Sequence, residues 1–110
     1  MNRKQIPNIS VESLKQQLDS DQAVTLIDVR EDHEWHTARI PGAIHLQKDI
    51  LEHHIHEVVP DKSQTIYLQC QGGVRSMFAA QVLLDRGYEN VCNVAGGLMD
   101  WMSKGFPIEK

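Results

Sequence analysis

Cysteine and aromatic residues are both scarce in this chain. Only Cys70 and Cys92 are cysteines among the 110 residues, and 5% of the chain is aromatic. Two cysteines make no disulfide framework, and a domain of this length needs none, so both are expected as free thiols in a reducing compartment. No apolar run is long enough to span a bilayer, and the charged start Met1-Asn2-Arg3-Lys4-Gln5 has no apolar stretch behind it, which argues against a signal peptide. The expected location is therefore cytoplasmic, with no membrane partner. A surplus of positive charge is missing too. Eleven Lys and Arg stand against fifteen Asp and Glu, net charge -4, and they are spread without an obvious basic face, so nucleic acid is not an expected partner. Linkers, repeats and low-complexity segments are absent as well. One domain over residues 1–110, with a core of about 6–108, is the expectation.

What is present alternates between two periodicities. After an extended lead, Ile6 to Ile9, Ser10 can cap a helix in which Val11, Leu14 and Leu18 share a face up to about Asp19. The apolar run from Ala23 to Val29 ends in charge, with Asp28 and Arg30 at its close, as a buried parallel strand does. Glu31 to Thr37 can form a short polar helix with Trp35 as its buried member. A turn at Arg39-Ile40-Pro41-Gly42-Ala43 leads to a short strand, Ile44-His45-Leu46, and Asp49 is placed to cap a helix running to Pro60 with Ile50, Leu51, Ile55 and Val58 apolar. Thr65 to Leu68 reads as the next buried strand. The helix from Ser76 to Arg86 puts Phe78, Ala79, Val82 and Leu83 on one face, with Gly87 as its stop, and Val91 to Val94 is the last strand. Gly96-Gly97 then opens a helix with Leu98, Trp101 and Met102 inward. Strands alternating with helices imply an α/β fold of three layers, a mainly parallel sheet with helices on both faces.

The chemistry concentrates at Leu68-Gln69-Cys70-Gln71-Gly72-Gly73-Val74-Arg75-Ser76. A cysteine at the carboxyl end of a strand, two glycines and the start of a helix form a loop whose backbone N–H groups can turn toward an anion. Such surroundings favour a thiolate at Cys70, and Arg75 adds a permanent charge. Cys70 is expected to be exposed at the loop's mouth, and Cys92 packed within its strand. A protease would need a partner base, and no histidine lies near Cys70 in sequence. Sulfur transfer needs less, because the thiolate expels an already anionic group.

Several blocks resemble those of a known family: Leu26-Ile27-Asp28-Val29-Arg30 with Glu34-Trp35, Ile40-Pro41-Gly42-Ala43, Cys70 to Ser76, and Gly96-Gly97 with Trp101, Gly105 and Pro107. The chain resembles the single-domain rhodaneses, sulfurtransferases with a five-stranded parallel sheet. The resemblance implies a persulfide carried on Cys70, a cradle made of Gln71, Gly72, Gly73, Val74 and Arg75, and supporting positions at Asp28 and Arg30. It implies no cofactor and no metal. The implied reaction moves sulfane sulfur from thiosulfate or a low-molecular-weight persulfide to cyanide or a thiol acceptor. A sulfur relay fed by a persulfidated donor protein, with little turnover of its own, is the alternative.

This chain departs from the family's pattern where Ala38-Arg39 replaces the usual Gly-His, and where Gln71 and Gly72 replace a basic residue common in members that use thiosulfate. Thiosulfate is therefore expected to be a poor donor. A phosphatase or arsenate reductase is a third reading, but those loops are longer by one residue than the four between Cys70 and Arg75, so the ring here should be tighter. His53-His54-x-His56 has helical spacing for a surface metal, and a polar helix face explains it equally well. Asp28 and Arg30 are expected to form a structural ion pair or to bond the loop backbone. For Arg75, a bond to a neighbouring carboxylate or carbonyl and a charge held for the substrate or persulfide are both open.

Overall fold

A computed structural model of the protein describes residues 5–20 and 23–110; the charged start Met1 to Lys4 lies outside them. The chain order is β1 (Asn8–Ile9), α1 (Val11–Asp19), β2 (Thr25–Asp28), α2 (Asp32–Thr37), β3 (Ile44–His45), α3 (Lys48–Val58), β4 (Ile66–Gln69), α4 (Val74–Asp85), β5 (Val91–Val94) and α5 (Gly97–Ser103). The strands form one parallel sheet in the order β1-β5-β4-β2-β3. The extended lead read from the sequence is thus a short edge strand, paired with β5.

Successive strand residues face opposite sides of a sheet, so a sheet covered on both faces needs apolar residues at both parities. Leu26 packs with Val11, Leu14, Leu98 and Trp101 of α1 and α5, whereas its neighbour Ile27 packs with Leu51, Ile55, Ala79 and Leu83 of α3 and α4. Helices therefore cover both faces, as the alternation of periodicities predicts. Ser10 caps α1, its side chain accepting from the Ser13 N–H at 3.1 Å.

Four local expectations need correction. Helix α4 begins at Val74, two residues early, and buries Ser76, Ala79, Ala80 and Leu83, while Phe78 is 63% exposed. The small side chains let α4 approach the sheet closely, and that approach rather than Phe78 sets the inward face. On α5 the inner pair is Leu98 and Trp101, one turn apart, and Met102 is largely exposed. Helix α3 starts at Lys48 with Gln47 before it, so Asp49 lies in the first turn, where its charge suits the helix dipole; Ile50 and Val58 lie outward. Trp35 is half-buried, stacked on His45 with ring centroids 4.7 Å apart, and the Arg39 guanidinium lies 4.9 Å from its ring.

Candidate active site

Strand β4 is central in the sheet, and its carboxyl end delivers Cys70 to the side where ligands gather in open α/β sheets. The loop then turns sharply. Gly73 has φ +101°, in the left-handed region that an L side chain rarely adopts, and this brings its N–H back toward the cysteine. The Gly73 N–H donates to Cys70 Sγ at 3.1 Å, the Ser76 N–H donates at 3.4 Å, and the Ser76 hydroxyl lies 3.3 Å away. Carbonyls on the same loop face outward. The N–H of Leu98 donates to Cys70 O and that of Met99 to Gln71 O, both at 2.9 Å, so the first turn of α5 draws these oxygens away from sulfur.

The two cysteines exchange the roles expected of them. Cys70 is 1% exposed and belongs to the apolar cluster under α3 and α4, whereas Cys92 is only half-buried. The loop wraps the sulfur as a lining around it, which a strand-end position in sequence does not reveal. Burial is the largest influence on the Cys70 thiol and pushes it up. The contacts from the Ser76 side chain and the N–H groups of Ser76, Gly73 and Gly72 together outweigh burial and hold the thiol below its ordinary range. Burial pushes the Cys92 thiol up with nothing opposing it.

Arg75 is not free. Its guanidinium grips Glu34 of α2 with two hydrogen bonds, at 2.6 and 2.9 Å. Of the two openings left by the sequence, the bond to a carboxylate is the one formed, and Glu34 is a site residue that sequence reasoning named only as part of a family block. Glu34 three residues beyond a predicted helix start was the available signal, but nothing local pairs positions 41 apart. Asp28 and Arg30 form the expected buried ion pair: Arg30 Nη2 donates to Asp28 Oδ2 at 2.8 Å and to the Ala38 carbonyl at 2.6 Å. The pair fastens the end of β2 to the segment after α2. Gln71 lies at the edge of a cleft of about 400 Å³, lined also by Arg30, Glu34, Thr37, Leu98 and Met102. Both charged residues among these already have partners.

The Arg75 side-chain hydrogen bonds are the largest influence on Glu34 and lower its carboxyl from 4.5 to about 2; burial opposes them, while the Glu31 N–H and the charges of Arg75 and Arg30 assist. A depressed carboxyl contributes stability that is complete above pH 4.5 and is lost as pH falls toward 2. The Arg75 side chain is 37% exposed, so solvent screens the pair. Glu34→Gln is expected to destabilise the protein by about 1 kcal/mol at neutral pH. In denaturant titrations the gap to the parent should close between pH 4.5 and about 2. A gap that stays constant over that range would exclude the carboxylate charge as its source.

Known proteins resemble this chain in sequence and in fold. The family model for the rhodanese-like domain matches residues 10–104. YrkF of Bacillus subtilis, named as a proposed sulfur carrier protein, is 38% identical over 103 residues, 94% of this chain and 55% of that protein; the chain thus spans about half of that relative. A protein of Allochromatium vinosum named sulfurtransferase is 34% identical over 103 residues, 94% of each chain. Among solved structures, the rhodanese-like domain of an Anabaena protein superposes with a TM-score of 0.85 at 28% identity, covering 96% of this chain and 80% of that one. A parallel five-stranded sheet, a cysteine ringed by N–H groups at the end of its central strand, and a family match over residues 10–104 lead to one conclusion: this chain belongs to the rhodanese-like domain family.

Proposed function

We propose that the protein is a rhodanese-type sulfurtransferase that carries sulfane sulfur as a persulfide on Cys70. The observation that carries this reading is the placement of Sγ against the N–H groups of Gly73 and Ser76 at the start of α4. Relatives named sulfurtransferase or sulfur carrier support sulfur transfer as the general role. In the first step the Cys70 thiolate attacks the outer sulfur of the donor. A bond forms between that sulfur and Sγ as the donor's own bond to the sulfur breaks, and the electron pair leaves with sulfite or a thiolate. In the second step an acceptor thiolate or cyanide attacks the outer sulfur, and the Cys70 thiolate departs. The loop N–H groups stabilise negative charge at both stages, and neither step asks for a base. Residues 71 to 75 serve as the cradle, and Asp28, Arg30 and Glu34 support it by fixing what surrounds it.

The donor reading follows from charge. Gln71 and Gly72 are uncharged, Arg75 is held by Glu34, and Arg30 is held by Asp28, so the loop offers thiosulfate no free cation. Val74 and Met99, beside the loop, are exposed. A persulfide, small or borne on a protein, suits this setting better than a dianion. Intact-mass measurement after incubation with thiosulfate, a small persulfide and a persulfidated protein tests the order. The expected result is loading of one sulfur atom, at least about tenfold faster from a persulfide than from thiosulfate. Equal or faster loading from thiosulfate would reverse the donor reading, and loading from a protein donor alone would make the chain a relay.

A further inference from the structure

Behind the cysteine lies a buried polar chain that the transfer reaction does not by itself require. Ser76 is fully buried and Asn93, on β5, nearly so. The Ser76 hydroxyl donates to Asn93 Oδ1 at 2.5 Å, and the same oxygen of Ser76 is 3.3 Å from Cys70 Sγ. The Asn93 amide nitrogen donates to the Gly73 carbonyl at 3.2 Å and to Asn8 Oδ1 of β1 at 3.0 Å. These contacts fix which way the amide points. A backbone carbonyl can only accept, so turning the amide over would set Asn93 Oδ1 against the Gly73 oxygen and forfeit that bond.

A serine hydroxyl has one proton, and here two acceptors compete for it. With the thiol neutral the chain is complete: Sγ–H donates to Ser76 Oγ, and Ser76 Oγ–H donates to Asn93. With the thiolate, Ser76 can stabilise sulfur only by withdrawing its proton from Asn93, which leaves two oxygens facing each other without a hydrogen between them. We propose that Asn93 is a positioning residue for Cys70: it competes with sulfur for the Ser76 proton, so that the pull the Ser76 hydroxyl would exert on the thiolate when turned to sulfur is largely withheld while the loop N–H groups stay in place. Through Gly73 the same side chain braces the loop, and through Asn8 it ties the site to the edge strand. The proposal deepens the sulfur-transfer reading of Cys70 and rests on it only for its relevance to turnover.

The charged groups nearest the site on the surrounding elements include Asp28 at the end of β2, Arg30 just after it, Glu34 on α2, Arg75 on α4 and Asp100 on α5. All stay in place in a cycle of Asn93→Ala, Ser76→Ala and the double variant, made with Cys92→Ala so that one thiol titrates. Thiolate formation is followed by ultraviolet absorbance and by alkylation rate against pH, neither of which needs sulfur transfer. Asn93→Ala is expected to release the Ser76 proton to sulfur and raise the thiolate population on the acidic side of the titration by about tenfold. That gain should vanish in the double variant, and Ser76→Ala alone should move the titration by less than about twofold. A purely structural brace would shift both Asn93→Ala backgrounds alike, and that outcome would overturn the proposal. So would a large fall in thiolate in Ser76→Ala alone, which decides the matter even where Asn93→Ala fails to fold. Either failure leaves sulfur loading of Cys70 untouched, and a Cys70 that loads no sulfur leaves the titration cycle readable.

Discussion

Replacing Cys70 with serine is expected to abolish sulfur loading and to reduce transfer to an acceptor by at least about a thousandfold. The ring around Sγ holds a thiol below its ordinary range, but the same N–H groups cannot ionise an alcohol near neutral pH. Among the described residues no side-chain base bonds Sγ to make up the difference; the N–H groups of Gly72, Gly73 and Ser76 and the Ser76 hydroxyl face it. The fold should survive, because a serine oxygen accepts from the same donors and occupies less of the apolar cluster. Intact mass after donor treatment and a thermal melt, read together, check both halves. A gain of sulfur in Cys70→Ser, with the melt unchanged, would move the chemistry to Cys92 and sink the assignment.

Gly97→Ala is expected to be the most damaging single methyl in the protein. Gly97 has φ +54°, and a Cβ placed there would stand 2.3 Å from the Cys70 carbonyl oxygen and 2.7 Å from that of Gln71. Both obstacles are backbone and cannot swing aside. They are also the two carbonyls that the N–H groups of Leu98 and Met99 draw away from sulfur, so any retreat of the loop disturbs the ring itself. A stability loss of roughly 3 kcal/mol or more is expected from the left-handed backbone and the clash together. The alkylation rate of Cys70 should rise as the loop opens to solvent, while sulfur loading falls. Gly72→Ala is the contrast for stability: φ there is not positive and a Cβ would meet nothing within 4 Å, so a change below about 0.5 kcal/mol is expected. Equal stability for Gly97→Ala and the parent in denaturant titrations would show that α5 does not hold the loop.

The order of elements was legible in the chain because each depends on near neighbours. Val11 and Leu14 at helical spacing, the run of Thr25 to Asp28 and the glycines after Cys70 each state a local preference, and the fold agrees with all three. Faces of helices were harder to read. Phe78 is the largest apolar residue of α4 and points outward, because the inward face was decided by how closely Ala79 and Ala80 let the helix approach the sheet. Side-chain volume in sequence argues for burial, and packing distance in the fold argued against it.

The candidate site divides in the same way. The sequence by itself determined that a thiol would stand at the end of a buried strand, before a glycine turn and a helix start, since each of those is set within a few residues. Only the tertiary structure decided what that thiol meets. Glu34 reaches Arg75 from another helix, Asn93 reaches Ser76 from the neighbouring strand, and Leu98 and Met99 take the loop carbonyls from the far side of the sheet. Hydrogen bonds between residues far apart in the chain depend on where the strands lie beside one another, and that order is a property of the whole sheet. Hence Cys70 looked exposed at the end of its strand, yet it lies buried beneath a ring of donors that the rest of the chain assembles around it.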